Sequence, residues 1–106
     1  MDDKRIKVLR RDPEKPFEVI EIPAKIDAFE KLVGGYVECL VLGPDLIAMF
    51  NENASKLKLE KNCNFGGKLL RGTILLAGMN EKNEFVDCPA DVINKYSGEG
   101  EMIING

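Results

Sequence analysis

Polar and apolar residues alternate with a period of two near the start of the chain, the pattern of a half-buried strand. Ile6 to Leu9 reads as a short strand, and Phe17 to Ile22, F-E-V-I-E-I, as a second. Between them Arg11-Asp12-Pro13-Glu14-Lys15-Pro16 carries two prolines, which cannot serve an inner ladder, so this stretch is a turn. Together they predict a hairpin with a longer loop, stopped by Pro23. From Lys25 to Val33 the period changes. Ile26, Phe29, Leu32 and Val33 fall on one face of a 3.6-residue repeat, which predicts a helix over 25–33. Asp27 stands near its positive N-terminal end. Gly34 suits the left-handed position that follows a helix, and Gly35 lets the chain turn sharply into the next strand.

Tyr36 to Leu42 and Leu46 to Phe50 predict two strands, joined by the tight turn Gly43-Pro44-Asp45 into an antiparallel hairpin. In the first, Val37, Cys39 and Val41 share one face; Tyr36, Glu38, Leu40 and Leu42 share the other. Asn51 to Ala54 is a loop. Ser55 to Lys61, S-K-L-K-L-E-K, alternates as a short edge strand whose outward lysines would blunt the edge. Residues 62–67 are expected to be irregular, Thr73 to Ala77 a buried strand, and Glu84 to Val86 a short strand pairing back. Cys88-Pro89-Ala90-Asp91 opens a last helix that runs to Tyr96, with Val92, Ile93 and Tyr96 as its apolar face. Ser97-Gly98 ends it. Residues 99–106 form either a frayed tail or a small closing strand. Antiparallel pairing is the simpler topology for strands joined by such short turns, because parallel pairs need long crossovers. The expected fold is therefore α+β: a single domain over 1–106, with a mainly antiparallel sheet and two short helices packed on it.

The 106 residues suit one domain, and 44% apolar with 31% charged residues is ordinary for a soluble globular protein. No apolar run approaches the ~18 residues of a membrane span. The start, MDDKRIKVLRRD, has no apolar core of a signal peptide, so the expected compartment is the cytoplasm. Histidine is absent, which removes His-based triads, His general bases and His-containing zinc sites. The three cysteines, Cys39, Cys63 and Cys88, form no close pair and are too few for an all-thiolate zinc site. No metal and no cofactor is expected, and no catalytic constellation emerges. A net charge of −3 disfavours a general nucleic-acid binder. Lys4, Arg5, Lys7, Arg10 and Arg11 form one basic cluster. Glu14, Glu18 and Glu21 follow closely, so cross-strand charge pairing competes with nucleic-acid contact. Gly66-Gly67-Lys68 lacks the spacing of a phosphate loop.

Several stretches together resemble domain of unknown function family 3846. They are I6-K7-V8, L32-V33-G34-G35-Y36-V37-E38, L46-I47 running to N51-E52, L57 with N62, G72-T73 with G78, and I93-N94-K95-Y96. The resemblance spans nearly the whole chain, and Val-Gly-Gly-Tyr-x-Glu is its most specific part. It departs at the last helix, where a Leu-Thr-Asp-Glu type of entry is replaced by Cys88-Pro89-Ala90-Asp91, so Cys88 reads as a substitute for an apolar staple residue. The resemblance implies this fold and a Firmicutes, phage or mobile-element setting, and it brings no activity with it.

Within the resembling stretches Tyr36, Glu38, Asn51 and Asn62 are the polar residues: a phenol, a carboxylate and two amides able to converge on one small polar ligand. The asparagines also suit turns and left-handed positions. Glu38 lies either at the sheet margin, in reach of water, or partly buried as a hydrogen-bond acceptor. Cys88, beside a helix start, would have a lowered thiol pKa if it were reactive, and packs as a small apolar residue otherwise. Cys39 is expected in the core and Cys63 at the surface. The function this supports is a non-enzymatic cytoplasmic module that binds a protein or a small ligand. The alternative is a nucleic-acid-associated protein using the basic cluster. An edge strand also offers a route to a homodimer.

Overall fold

In a computed structural model, residues 4–65 and 67–96 are described. Eight strands and two helices follow in the order β1 (Arg5–Arg11), β2 (Glu18–Pro23), α1 (Ile26–Val33), β3 (Val37–Gly43), β4 (Leu46–Asn51), β5 (Lys61–Phe65), β6 (Lys68–Arg71), β7 (Ile74–Met79), β8 (Phe85–Val86) and α2 (Ala90–Tyr96). The fold is α+β and mainly sheet. The main sheet runs β2-β1-β7-β4-β3, with β8 also on β7, and every pairing is antiparallel. The expected hairpins β1–β2 and β3–β4 both form, with Ile6 opposite Ile22 and Leu40 opposite Ala48.

β7 occupies the middle because its sequence, I-L-L-A-G-M, is apolar on both faces. Ile74 and Leu76 join Leu9, Phe17, Ala48, Phe50, Cys63, Leu70 and Cys88 in one cluster. Leu75 and Ala77 join Ile6, Val8, Phe29, Val33, Ile47 and Met49 in the other. α1 covers the second face through Phe29 and Val33, and Phe29 meets the Phe85 ring edge-on at 4.8 Å. The β5–β6 hairpin and α2 cover the first, where Phe65, Val92, Ile93 and Tyr96 pack partly buried. The two helices thus lie on opposite faces.

One stretch differs from expectation. Residues 55–61 do not form an edge strand; 52–58 coil in successive turns, with Leu57 N–H bonded to the Asn53 carbonyl and Leu59 N–H to that of Ala54. Asn51 starts this coil, since its side-chain oxygen accepts the Asn53 N–H at 2.7 Å. Leu57 is left exposed. The strand comes later, as β5, in the stretch expected to be irregular. Asn62 falls at a register shift between Lys61 and Cys63, Asn64 pairs with Leu69, and Gly67, at φ 87°, makes the tight connection to β6. The expected helix end and tail, 97–106, lie outside the described residues.

The double glycine has two separate causes. Gly34 is left-handed, at φ 81°, and its N–H and that of Gly35 both bond the Glu30 carbonyl, which ends α1. Gly35 is needed for room: a Cβ there would stand 2.8 Å from the Asn51 amide nitrogen. That nitrogen donates to the Val33 carbonyl at 3.2 Å, and Asn51 is buried. Gly34→Ala is expected to cost about 1 kcal/mol, from backbone strain. Gly35→Ala is expected to cost more, about 1–3 kcal/mol, because the buried amide must leave its partners. In an Asn51→Ala background the Gly35→Ala cost should fall, and urea melts of the four proteins measure that coupling. Equal costs in both backgrounds would show that the fit with Asn51 is not what Gly35 provides.

Candidate functional site

The candidate residues divide between two places. Tyr36, Glu38 and Asn51 cluster where α1 ends and β3 begins. Tyr36 is 69% exposed. Glu38 stands at the sheet margin, in an ion pair with Lys68 at 3.5 Å. Both partners are about half exposed, so the pair contributes ~0–1 kcal/mol. A notch of about 70 Å³ opens among Glu38, Asn51, Lys68 and Arg71. Asn51 offers it little, because both ends of its amide are bonded to backbone. Asn62 lies elsewhere. Its amide nitrogen donates to the Arg11 and Gly72 carbonyls, both at 2.8 Å, and its oxygen accepts from Arg11 Nη1 at 3.2 Å. It stitches β5 to β1 and to the β6–β7 connection. The four do not converge.

A larger concavity lies on the face Glu38 shares. It encloses about 430 Å³ and is lined by Leu40, Leu42, Leu46, Phe65, Leu76 and Tyr96, with Lys68 beside them. This volume is in the range of small-ligand sites. Lys68 Nζ also lies 5.5 Å from the Phe50 ring centroid, so one cation serves both the rim and Glu38. Sequence reasoning missed this groove because its wall comes from β3, β4, the β5–β6 hairpin, β7 and α2. The available signal was local: Leu40 and Leu42 in phase with Glu38, on a strand of the sheet edge.

Alternation splits the basic cluster. Ile6 and Val8 face α1, and Leu9 faces the other way; Lys4 and Arg10 are in phase with the first pair, and Arg5, Lys7 and Arg11 with Leu9. Arg5 pairs with Glu21 at 3.7 Å, Arg10 with Asp12 at 3.4 Å, and Arg11 donates to the Lys15 carbonyl and to Asn62. Charge is thus divided between two faces and largely engaged within the protein, which is poor geometry for tracking phosphates. Nearby, Glu60 and Glu14 share a hydrogen bond; this, then their mutual repulsion, pushes the Glu60 carboxyl above its ordinary value.

The cysteines also change places. Cys39 is exposed, since β3 is an edge strand that α1 does not cover there. Cys63 is buried. Both correct the sequence reading, which could not see which face of each strand is roofed. Cys88 is buried, and burial first, then Asp91, Asp45 and Asp87, push its thiol up to about 12. That is the reverse of an activated nucleophile, and it fits the apolar-staple reading. Among the described residues no three His, Cys, Asp or Glu side chains gather as a metal-ligand group, and no helix is long and apolar enough to cross a membrane.

A family model described as Domain of unknown function (DUF3846) matches residues 6–100. The chain belongs to this family. Its DUF3846 match takes in both hairpins, α1, the β5–β6 hairpin and α2, and so every wall of the groove. Neither the curated proteins nor the solved structures contain a match to the chain.

Two outcomes check this electrostatic picture. In dilute native protein Cys39, exposed though burial and then Glu38 push its thiol up, should alkylate ahead of Cys63 and Cys88, which follow on unfolding; mass spectrometry of labelled peptides reads this out. Fast native labelling of Cys88 would overturn its placement. An acid whose folded pKa is raised loses stability as pH rises through that value, and the penalty is absent below the ordinary glutamate value of 4.5. Glu60→Gln should therefore melt slightly higher than the parent near neutral pH, and no higher in acid. A gain confined to acid would contradict the sign.

Proposed function

We propose that this DUF3846 chain is a non-enzymatic binding module of the cytoplasm that takes a protein or small-ligand partner along the β3 edge and the groove beside it. One observation carries the reading: an apolar concavity of about 430 Å³ adjoins a strand with no neighbour on its outer side among the described residues. An extended peptide can add to such an edge through backbone hydrogen bonds, with side chains entering the groove for selectivity. The lining supports binding rather than chemistry. Leucines and aromatics dominate it, and its cation, Lys68, is already neutralised by Glu38. Free cysteines suit a reducing compartment. The family resemblance supports a phage or mobile-element setting, which the neighbouring genes would test.

A small-fragment and short-peptide screen followed by amide NMR tests the module. Expected are shifts grouped at Glu38, Leu40, Leu42, Phe65, Lys68 and Tyr96, reduced by Leu42→Ser at unchanged fold. Turnover of a metabolite in a broad activity screen, abolished by Glu38→Gln, would overturn the non-enzymatic reading.

A further inference from the structure

The two edges of the main sheet are unequal. β2 carries two acids, Glu18 and Glu21, and prolines stand at Pro16 and Pro23, the usual means of blunting an edge. β3, V-E-C-L-V-L-G, has no proline, no lysine and a single acid. Its outward backbone groups can be identified. The Glu52 N–H bonds the Tyr36 carbonyl, and the β3–β4 register continues as Val37 with Asn51 and Glu38 with Phe50. Antiparallel pairs alternate between bonded and non-bonded. Positions 36, 38 and 40 therefore bond β4, and Val37, Cys39 and Val41 turn N–H and C=O outward. β4 agrees on its other side: Met79 N–H bonds the Asp45 carbonyl, so its odd positions bond β7.

Val37, Cys39 and Val41 read the same in both directions. We infer that β3 pairs antiparallel with β3 of a second copy of this chain about a twofold axis at Cys39. This rests on the reading of the β3 edge as a binding surface and names its occupant. In that register Val37 opposes the partner copy's Val41, the two Cys39 residues face each other, and all three outward residues bond. The 73% exposed Val41 gains an apolar neighbour. On the other face Tyr36 comes opposite Leu42 of the other copy, which brings the 69% exposed ring to the mouth of its groove. An aromatic anchor beside a pocket is the usual centre of an interface. Charges match as well. Each Glu38–Lys68 pair sits beside the axis, so two acids and two bases meet in equal number and every Glu38 has a cation within reach of it. One strand pair with two tyrosine anchors is a small interface, so the dimer is of the concentration-dependent kind.

Sedimentation equilibrium under reducing conditions tests this. The parent should move from monomer to dimer as concentration rises toward millimolar. Val41→Lys should weaken the dimer at least tenfold, while Val19→Lys, on the opposite edge, should leave it unchanged. Circular dichroism identical among the three proteins separates loss of pairing from loss of fold, since both valines are exposed in the protomer. Mild oxidation should trap the parent dimer through Cys39, and Cys39→Ser should not be trapped. A parent that stays monomeric, or a dimer insensitive to Val41→Lys, overturns the self-pairing. If fragments still shift Leu40 and Leu42 in that monomer, the binding-module reading stands without it.

Discussion

The structure depends on burying β7 from both sides. Its residues Ile74 to Ala77 are fully buried, and they alternate between the two clusters, so neither face of the sheet can be left open at its centre. At about 25 cal/mol per Å² of apolar surface, each isoleucine or leucine among them is worth ~1.5–3 kcal/mol when wholly removed from water. Everything else follows as cover. α1 roofs one face with Phe29 and Val33, and the β5–β6 hairpin with α2 roofs the other. The short β8 takes over the β1 side of β7 where β1 leaves it, and the Cys88 N–H bonds the Lys7 carbonyl to carry the seam onward. Gly78 makes this crossing feasible, because a Cβ there would run into the Asp87 carbonyl.

Much of this was legible in the chain. Period-two alternation marked β1 and β2, the Gly43-Pro44-Asp45 turn marked the β3–β4 hairpin, the change to a 3.6 period marked α1, and Gly34 marked its end. Two kinds of information were not local. The alternation of Leu57 and Leu59 with lysines mimics a strand, yet the Asn51 side chain captures the Asn53 N–H and turns the chain first. A strand needs a partner as well as a pattern, and β5 finds one in β6 despite its asparagines. The site was less legible than the fold. Tyr36 and Glu38 do lie together at the surface, but Asn62 proved to be a brace, and the groove is assembled from elements far apart in sequence.

The two buried or half-buried asparagines show how a small protein fixes the relation of its layers. Apolar contact is not directional, so it lets layers slide. Asn51 joins the last turn of α1 to the end of β4, and Asn62 joins β5 to β1 and to the Gly72 carbonyl. Each satisfies backbone groups that would otherwise be unpaired, and each specifies one register between a cover element and the sheet.

That fixing also bears on the β3 edge, which has no neighbour among the described residues. Left-handed Gly34 ends α1, and Asn51 takes the Val33 carbonyl and fills the space beside Gly35, which holds that end against β4. α1 therefore roofs the sheet through Phe29 and Val33, and on β3 its cluster reaches only Val37. Cys39 and Val41, two and four residues farther on, share that face without a roof. The opposite face of the same strand is treated differently, since Leu40 and Leu42 pack against the cluster beneath the β5–β6 hairpin and α2. Among the described residues β3 is thus anchored on one side by the core and open on the other at both its face and its edge. A strand held rigidly in this way presents its outward N–H and C=O groups at fixed spacing, which lowers the ordering cost of adding another strand. The buried amide that locks α1 to β4 thus also holds the roof where it covers Val37 and not Cys39 or Val41.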